Sequence, residues 1–121
     1  MTLKEVRDLL QAEVIYGHEK LGEEIKFAGG SDLMSDVLAF SQPGILLLTG
    51  LSNSQTVRTA NIIEAKAIVY VRGKKPDSGG IKLAEELGIP ILSTRFMMYR
   101  ACGILYSHGL PGVGSSPDSM E

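Results

Sequence analysis

Residues 45–92 read ILLLTGLSNSQTVRTANIIEAKAIVYVRGKKPDSGGIKLAEELGIPIL, and this stretch decides the fold. Three short apolar runs recur along it: Ile45-Leu46-Leu47-Leu48-Thr49, Ala67-Ile68-Val69-Tyr70-Val71 and Ile89-Pro90-Ile91-Leu92-Ser93. They begin at positions 45, 67 and 89, an even spacing. Apolar runs without alternation suit strands buried on both faces. The gaps carry helical patterns, roughly Ser54 to Ala65 and Gly80 to Leu87, the second stopped by Gly88. Strand, helix, strand at this interval implies parallel βαβ units with right-handed crossovers. The predicted fold is α/β with a mostly parallel central sheet, to which the rest of the chain adds or which it covers.

Composition sets limits around that reading. A chain of 121 residues with 44% hydrophobic content suffices for one domain and a proper core. Twelve Lys and Arg stand against fourteen Asp and Glu, a net charge of −2, so no basic field argues for nucleic acid. One cysteine, Cys102, excludes an internal disulfide and fits a reducing compartment. The N-terminus is charged and helical in pattern, unlike a signal peptide, and no apolar stretch reaches membrane-spanning length. The expectation is a cytoplasmic protein with no membrane or nucleic-acid partner.

Outside the central stretch the pattern is less regular. Thr2 and Glu5 have capping-box spacing, and Leu3, Val6, Leu9 and Leu10 line one face of the helix that follows. Ala12 to Tyr16 reads as a strand. Glu24 to Ala28 alternates, which predicts a half-buried strand with Ile25 and Phe27 inward, broken by Gly29-Gly30. Ser31 is placed as the cap of a helix from Asp32 to Phe40, with Met34, Val37 and Leu38 inward. The last helix is predicted from Arg95 to about His108. Residues 1–110 form the domain. Residues 111–121 carry Gly, Pro and Ser without periodicity and read as a flexible tail.

Three loops follow the core strands, and ligands of open parallel sheets bind beyond strand carboxyl ends. They hold Thr49, Gly50, Ser52 and Asn53; Arg72, Gly73, Lys74 and Lys75; and Ser93, Thr94 and Arg95. Each loop leads into a helix N-terminus, where free N–H groups favour an anion. Hydroxyls, glycines and cations gathered on one edge suit a nucleotide or other phosphorylated metabolite. The same residues also fit the ordinary duties of helix caps and solvated lysines. Asp32 and Asp36, four apart, are placed on one helical face, for a partner or a loop to use; helix-dipole placement of Asp32 and solvation of Asp36 also explain them. Cys102, mid-helix, reads as core. No phosphate-binding loop, nucleophile elbow or zinc spacing occurs, so no catalytic residue, metal or cofactor is assigned.

Beyond these patterns, the chain resembles a DRTGG domain over about Leu3 to Leu110. The resemblance is carried by Ser31 to Leu38, Leu47 to Leu51, Ala67 to Pro76 and Leu92 to Thr94. It implies a three-layer α/β fold, with helices on both sheet faces, of the kind found in the N-terminal domain of HPr kinase/phosphorylase. DRTGG domains occur beside CBS domains in regulated pyrophosphatases and in some phosphotransacetylases, so the resemblance implies a regulatory, non-catalytic role. Relatives carry Asp-Arg after the first core strand, where this chain has Leu51-Ser52 or Ser52-Asn53. They carry Thr-Gly-Gly after the second, where it has Val71-Arg72-Gly73. No CBS or catalytic domain accompanies the repeat, so the regulated partner is expected to be a separate protein. A dimerisation or docking module without a small-molecule ligand is the alternative. The helix Phe96–Tyr106, apolar nearly all round with Arg100 as its only charge, predicts a homodimer.

Overall fold

The structure is a computed structural model that describes residues 1–114. Helix α1, Leu3–Leu10, opens on a complete capping box: Thr2 Oγ1 accepts from the Glu5 N–H, and the Glu5 carboxylate accepts from the Thr2 N–H. Strand β1, Glu13–Tyr16, follows, then a 3₁₀ turn at His18–Lys20 and strand β2, Ala28–Gly30. Helix α2 is Met34–Phe40 and strand β3 Leu46–Thr49. Helix α3, Ser54–Ile62, leads to strand β4, Ala67–Tyr70. Helix α4, Ser78–Leu87, leads to strand β5, Ile91–Ser93, and helix α5, Met98–Ser107, comes last.

The five strands form one sheet in the order β1-β5-β4-β3-β2. Strands β2 to β5 are parallel, and β1 closes the edge antiparallel to β5. Alternation sends side chains to two layers. Leu46, Leu48, Val69 and Leu92 pack with Leu3, Val6 and Leu10 of α1 and with Ala101 and Leu105 of α5. Ile68, Tyr70 and Ile91 meet Val57 and Ala60 of α3 and Ala84 of α4, while Ile45 and Leu47 meet Met34 and Val37 of α2. The three crossover helices therefore share one face, as crossovers of one hand winding in one direction require. The architecture is the three-layer α/β arrangement that the resemblance implies.

Three elements differ from the sequence reading. The strand expected at Glu24–Ala28 lies further on, and the two glycines expected to end it are inside it. A Cβ on Gly29 would lie 3.0 Å from both Ile45 Cδ1 and Phe40 Cε1, and one on Gly30 would lie 2.9 Å from Met98 Sδ. Bare backbone thus lets α2 and α5 close on the edge from opposite faces. Ile25 and Phe27, off the strand, go to different layers.

Helix α2 starts at Met34 and not at Asp32; Leu33 holds the cap position, and the Ser31 hydroxyl turns back to the Leu33 N–H at 3.0 Å. Met34 and Val37 are buried as expected, but Leu38 is 49% exposed. Helix α5 starts at Met98, because the preceding residues form a connector in which the Thr94 hydroxyl accepts from the Phe96 N–H at 3.2 Å. Beyond α5, Pro111 O accepts from the Ala28 N–H at 3.0 Å, and the Val113 N–H donates to Ala28 O at 2.9 Å. The first residues of the segment read as a tail thus pair with β2; residues 115–121 lie outside the described residues.

Tyr70 is fully buried between β4 and the α3–α4 layer, and its hydroxyl has no hydrogen-bond partner among the described residues. Burial pushes its phenol well above the usual range. A buried hydroxyl without a partner costs desolvation for no return. Tyr70→Phe is therefore expected to leave stability within about 1 kcal/mol of the wild type or to raise it. Thermal unfolding checks this, and a melting temperature lowered by several degrees would show that the hydroxyl is bonded.

Candidate functional site at the strand carboxyl ends

The register sets the strand ends level. Gly30 lies beside Leu48, Thr49 beside Tyr70, and Tyr70 beside Ser93. The loops after β2, β3 and β4 consequently leave the sheet side by side. After β4 the chain makes a tight turn closed by the Lys74 N–H to Val71 O at 3.0 Å. Its two central residues, Arg72 and Gly73, are left-handed, with φ of 59° and 70°. Such a backbone disfavours a residue with a Cβ by roughly 1–2 kcal/mol. It is held by two bonds to the β5–α5 connector, from the Arg72 N–H to Phe96 O and from the Gly73 N–H to Thr94 O, each 2.9 Å.

This turn aims the Arg72 side chain back across the β3 loop. Its guanidinium lies on Gly50, where any Cβ would overlap it, and donates to Gly50 O at 3.4 Å. On its far side, Nη1 stands 3.1 Å from Asp32 Oδ2. The other oxygen of Asp32 accepts from the Gly50 N–H at 2.6 Å and the Thr49 hydroxyl at 3.4 Å. The Gly50 N–H, helped by the Arg72 guanidinium and opposed by partial burial, holds the Asp32 carboxyl below its usual range. Asp32, assigned from sequence to a helix face, is thus a loop residue joined to the ligand-edge residues Thr49, Gly50 and Arg72. Asp36, on α2, is exposed and stands apart from this group.

The other predicted edge residues divide. Ser52 and Asn53 lead into α3; Asn53 occupies the cap position without a side-chain hydrogen bond. Lys74 and Arg95 are exposed, while Lys75 pairs with Glu13 of β1 at 3.0 Å. Ser93 and Thr94 are buried and occupied within the fold. Ser93 Oγ donates to Lys74 O at 2.6 Å, and Thr94 Oγ1 to Leu10 O at 2.7 Å. Helix α4 is capped by Asp77, which accepts from the Gly80 N–H at 2.8 Å; Ser78 is the first helical residue. A carboxylate already fills the anion-favouring end of α4.

Concavities among the described residues lie elsewhere. A polar cleft of about 450 Å³ opens between the first turns of α3 and α4, bordered by Ser54, Arg58, Asp77 and Lys82. An apolar groove of about 420 Å³ runs between β2 and α5, floored by Gly29 and Gly30 and rimmed by Tyr99 and Tyr106. Cys102 lines this groove half-buried, and desolvation pushes its thiol up. Among the described residues no group of three or more His, Cys, Asp or Glu could hold a metal ion. No helix among them is long and apolar enough to cross a membrane.

The chain matches no family model and no curated protein in sequence. In structure it is similar to the CBS and DRTGG domains of the regulatory region of Clostridium perfringens pyrophosphatase, solved with the activator diadenosine tetraphosphate. The TM-score is 0.71 at 17% identity, over 91% of this chain and 47% of that one. The fold therefore agrees with the DRTGG resemblance, and the chain spans about half of that regulatory region.

The Asp32 bonds have a pH signature. Its folded pKa is depressed, so its contribution to stability is present above the unfolded carboxylate value, roughly 4, and is lost as pH falls through the folded value. The side chain is 49% exposed, so solvent screening limits the contribution to under about 1 kcal/mol. The difference in melting temperature between wild type and Asp32→Asn is expected to be largest near neutral pH and to shrink below about pH 4. A difference constant from pH 7 to about pH 3 would contradict the assignment.

Proposed function

We propose that the chain is a non-catalytic regulatory domain of the cytoplasm that binds a small phosphorylated molecule at the strand carboxyl edge and acts on a separate partner protein. The observation that carries this reading is the convergence of the Gly50 N–H, the Thr49 hydroxyl and the Arg72 guanidinium on one carboxylate-filled position. Donors from backbone, hydroxyl and guanidinium aimed at one point are what an anion needs. Ser52, Asn53, Gly73 and Lys74, on the loops that carry these donors, are the further residues we assign to the ligand. The similar pyrophosphatase region is a regulatory one crystallised with a nucleotide activator, which supports a ligand of the same chemical class.

A second reading, a dimerisation or docking module, is favoured by the outer face of α5. Tyr99 is 91% exposed, Tyr106 72% and the preceding Met97 60%, beside the apolar groove. Apolar surface gathered in this way marks interaction sites. Two-fold pairing of α5 helices, close at Gly103, would cover it. The two readings are compatible, because the α5 face and the loop edge are different surfaces.

A thermal-shift screen of mononucleotides, diadenosine tetraphosphate and acyl phosphates tests the first reading. A ligand at 100 times its Kd is expected to stabilise the fold by about 2.7 kcal/mol, a rise of several degrees. Neutralising Arg72, Lys74 and Lys75 together is expected to abolish the shift and its salt dependence. An unchanged shift in that triple variant would place the site elsewhere.

Sedimentation at micromolar concentration tests the second. The expected species has twice the 13.0 kDa chain mass and splits on Tyr99→Glu or Tyr106→Glu. Met98 is a poorer probe, since it packs half-buried on Gly30. A single 13.0 kDa species would remove the dimer.

A further inference from the structure

The anion position at the β3 tip is occupied by the chain itself. Both oxygens of Asp32 are engaged, one by the Gly50 N–H and the Thr49 hydroxyl, the other by the Arg72 guanidinium. Two oxygens of a phosphate present the same acceptors at a similar spacing. We infer that Asp32 is an internal competitor: it holds the seat closed, and a phosphate group binds by displacing it. The inference rests on the anion reading above and adds to it how the site is regulated.

The geometry of the β2–α2 loop supports displacement. Ser31 is fixed to the sheet by its N–H to Leu48 O at 3.0 Å. The next residue, Asp32, is half exposed, so an incoming anion reaches its oxygens from solvent. Leu33 beyond it is 57% exposed. Helix α2 has only 7 residues and is anchored by the buried Met34 and Val37. The Asp32 side chain can thus turn out to solvent without exposing core side chains. Arg72 keeps a hold on the seat without Asp32, because its backbone N–H bonds Phe96 O and its guanidinium also donates to Gly50 O at 3.4 Å. Displacement leaves the donors in place and removes only the carboxylate. It also releases the β2–α2 loop from the β3 tip beside the exposed Leu33, which gives a bound anion a way to alter the surface presented to a partner.

Removing the competitor should then tighten anion binding, although it removes a bond from the fold. Calorimetric titration of the full chain with inorganic phosphate, at neutral pH and low salt, reads this. Asp32→Ala is expected to bind phosphate at least tenfold more tightly than the wild type. Arg72→Gln added to Asp32→Ala is expected to abolish the gain. Should Asp32→Ala fold poorly by circular dichroism, Asp32→Asn removes the charge at nearly the same shape, and the same order is expected.

Equal affinities in wild type and Asp32→Ala, both weakened by Arg72→Gln, would overturn the competition and leave the anion reading standing. A gain that survives Arg72→Gln would also overturn it, by placing the phosphate elsewhere. Absence of phosphate binding in every variant would overturn the inference. A negative ligand screen on the wild type beside it would take the anion reading down as well.

Discussion

One carboxylate ties three loops of this protein together. Asp32 leaves the end of β2, reaches the first amide beyond β3, and meets a guanidinium that comes from beyond β4. The contact is possible only because the parallel register sets those strand ends level and because Gly50 offers bare backbone for Arg72 to lie on. It also accounts for the short α2: residue 32 is drawn to the sheet edge, so helical geometry begins two residues later.

The direction of winding explains why the edge is closed and not a cleft. Strands β2 to β5 follow one another in space as in sequence, with every crossover helix on one face. A deep crevice forms in doubly wound sheets where neighbouring connections part to opposite faces. Here no such point exists among the parallel strands, and adjacent loops lean on one another. Ser93 and Thr94 show the result: their hydroxyls, which from sequence could have faced a ligand, bond to backbone carbonyls of the loop after β4 and the end of α1. What the edge presents is a group of donors around Gly50, all turned to the Asp32 carboxylate, and it is this group that the proposed anion would use.

Much of the fold was legible because burial on both faces leaves an unmistakable mark. The runs from Ile45, Ala67 and Ile89 are apolar at consecutive positions, and consecutive positions of a strand face opposite layers. Where one layer is replaced by backbone approach, the mark vanishes. Gly29 and Gly30 read as a stop signal, yet they are strand residues kept bare by Phe40 and Met98. The signal was present in the pair of glycines, but its cause lies in residues ten and more positions away.

The site was half legible for the same reason. Arg72, Gly50 and Thr49 were visible as strand-end residues, since the repeat fixes where strands end. Their partner Asp32 was visible only as an acid near a cap, because helix periodicity cannot foretell that a tertiary hydrogen bond will unwind the first turn. Asp77, the cap of α4, was not singled out, because the helical pattern was read only from Gly80. Lys75 pairs with Glu13 of β1, an edge strand whose antiparallel place beside β5 no local pattern reveals.

The central claim is that the Asp32 carboxylate accepts the Gly50 N–H and organises this edge. The Gly50 amide resonance, followed by heteronuclear NMR from neutral pH down to about pH 3, tests it most directly. The account predicts a downfield amide proton at neutral pH that moves upfield as the carboxylate protonates, with a midpoint below that of an ordinary aspartate. In Asp32→Asn that titration should be gone. A Gly50 amide that does not titrate in the wild-type protein, or that titrates identically in Asp32→Asn, would contradict the account.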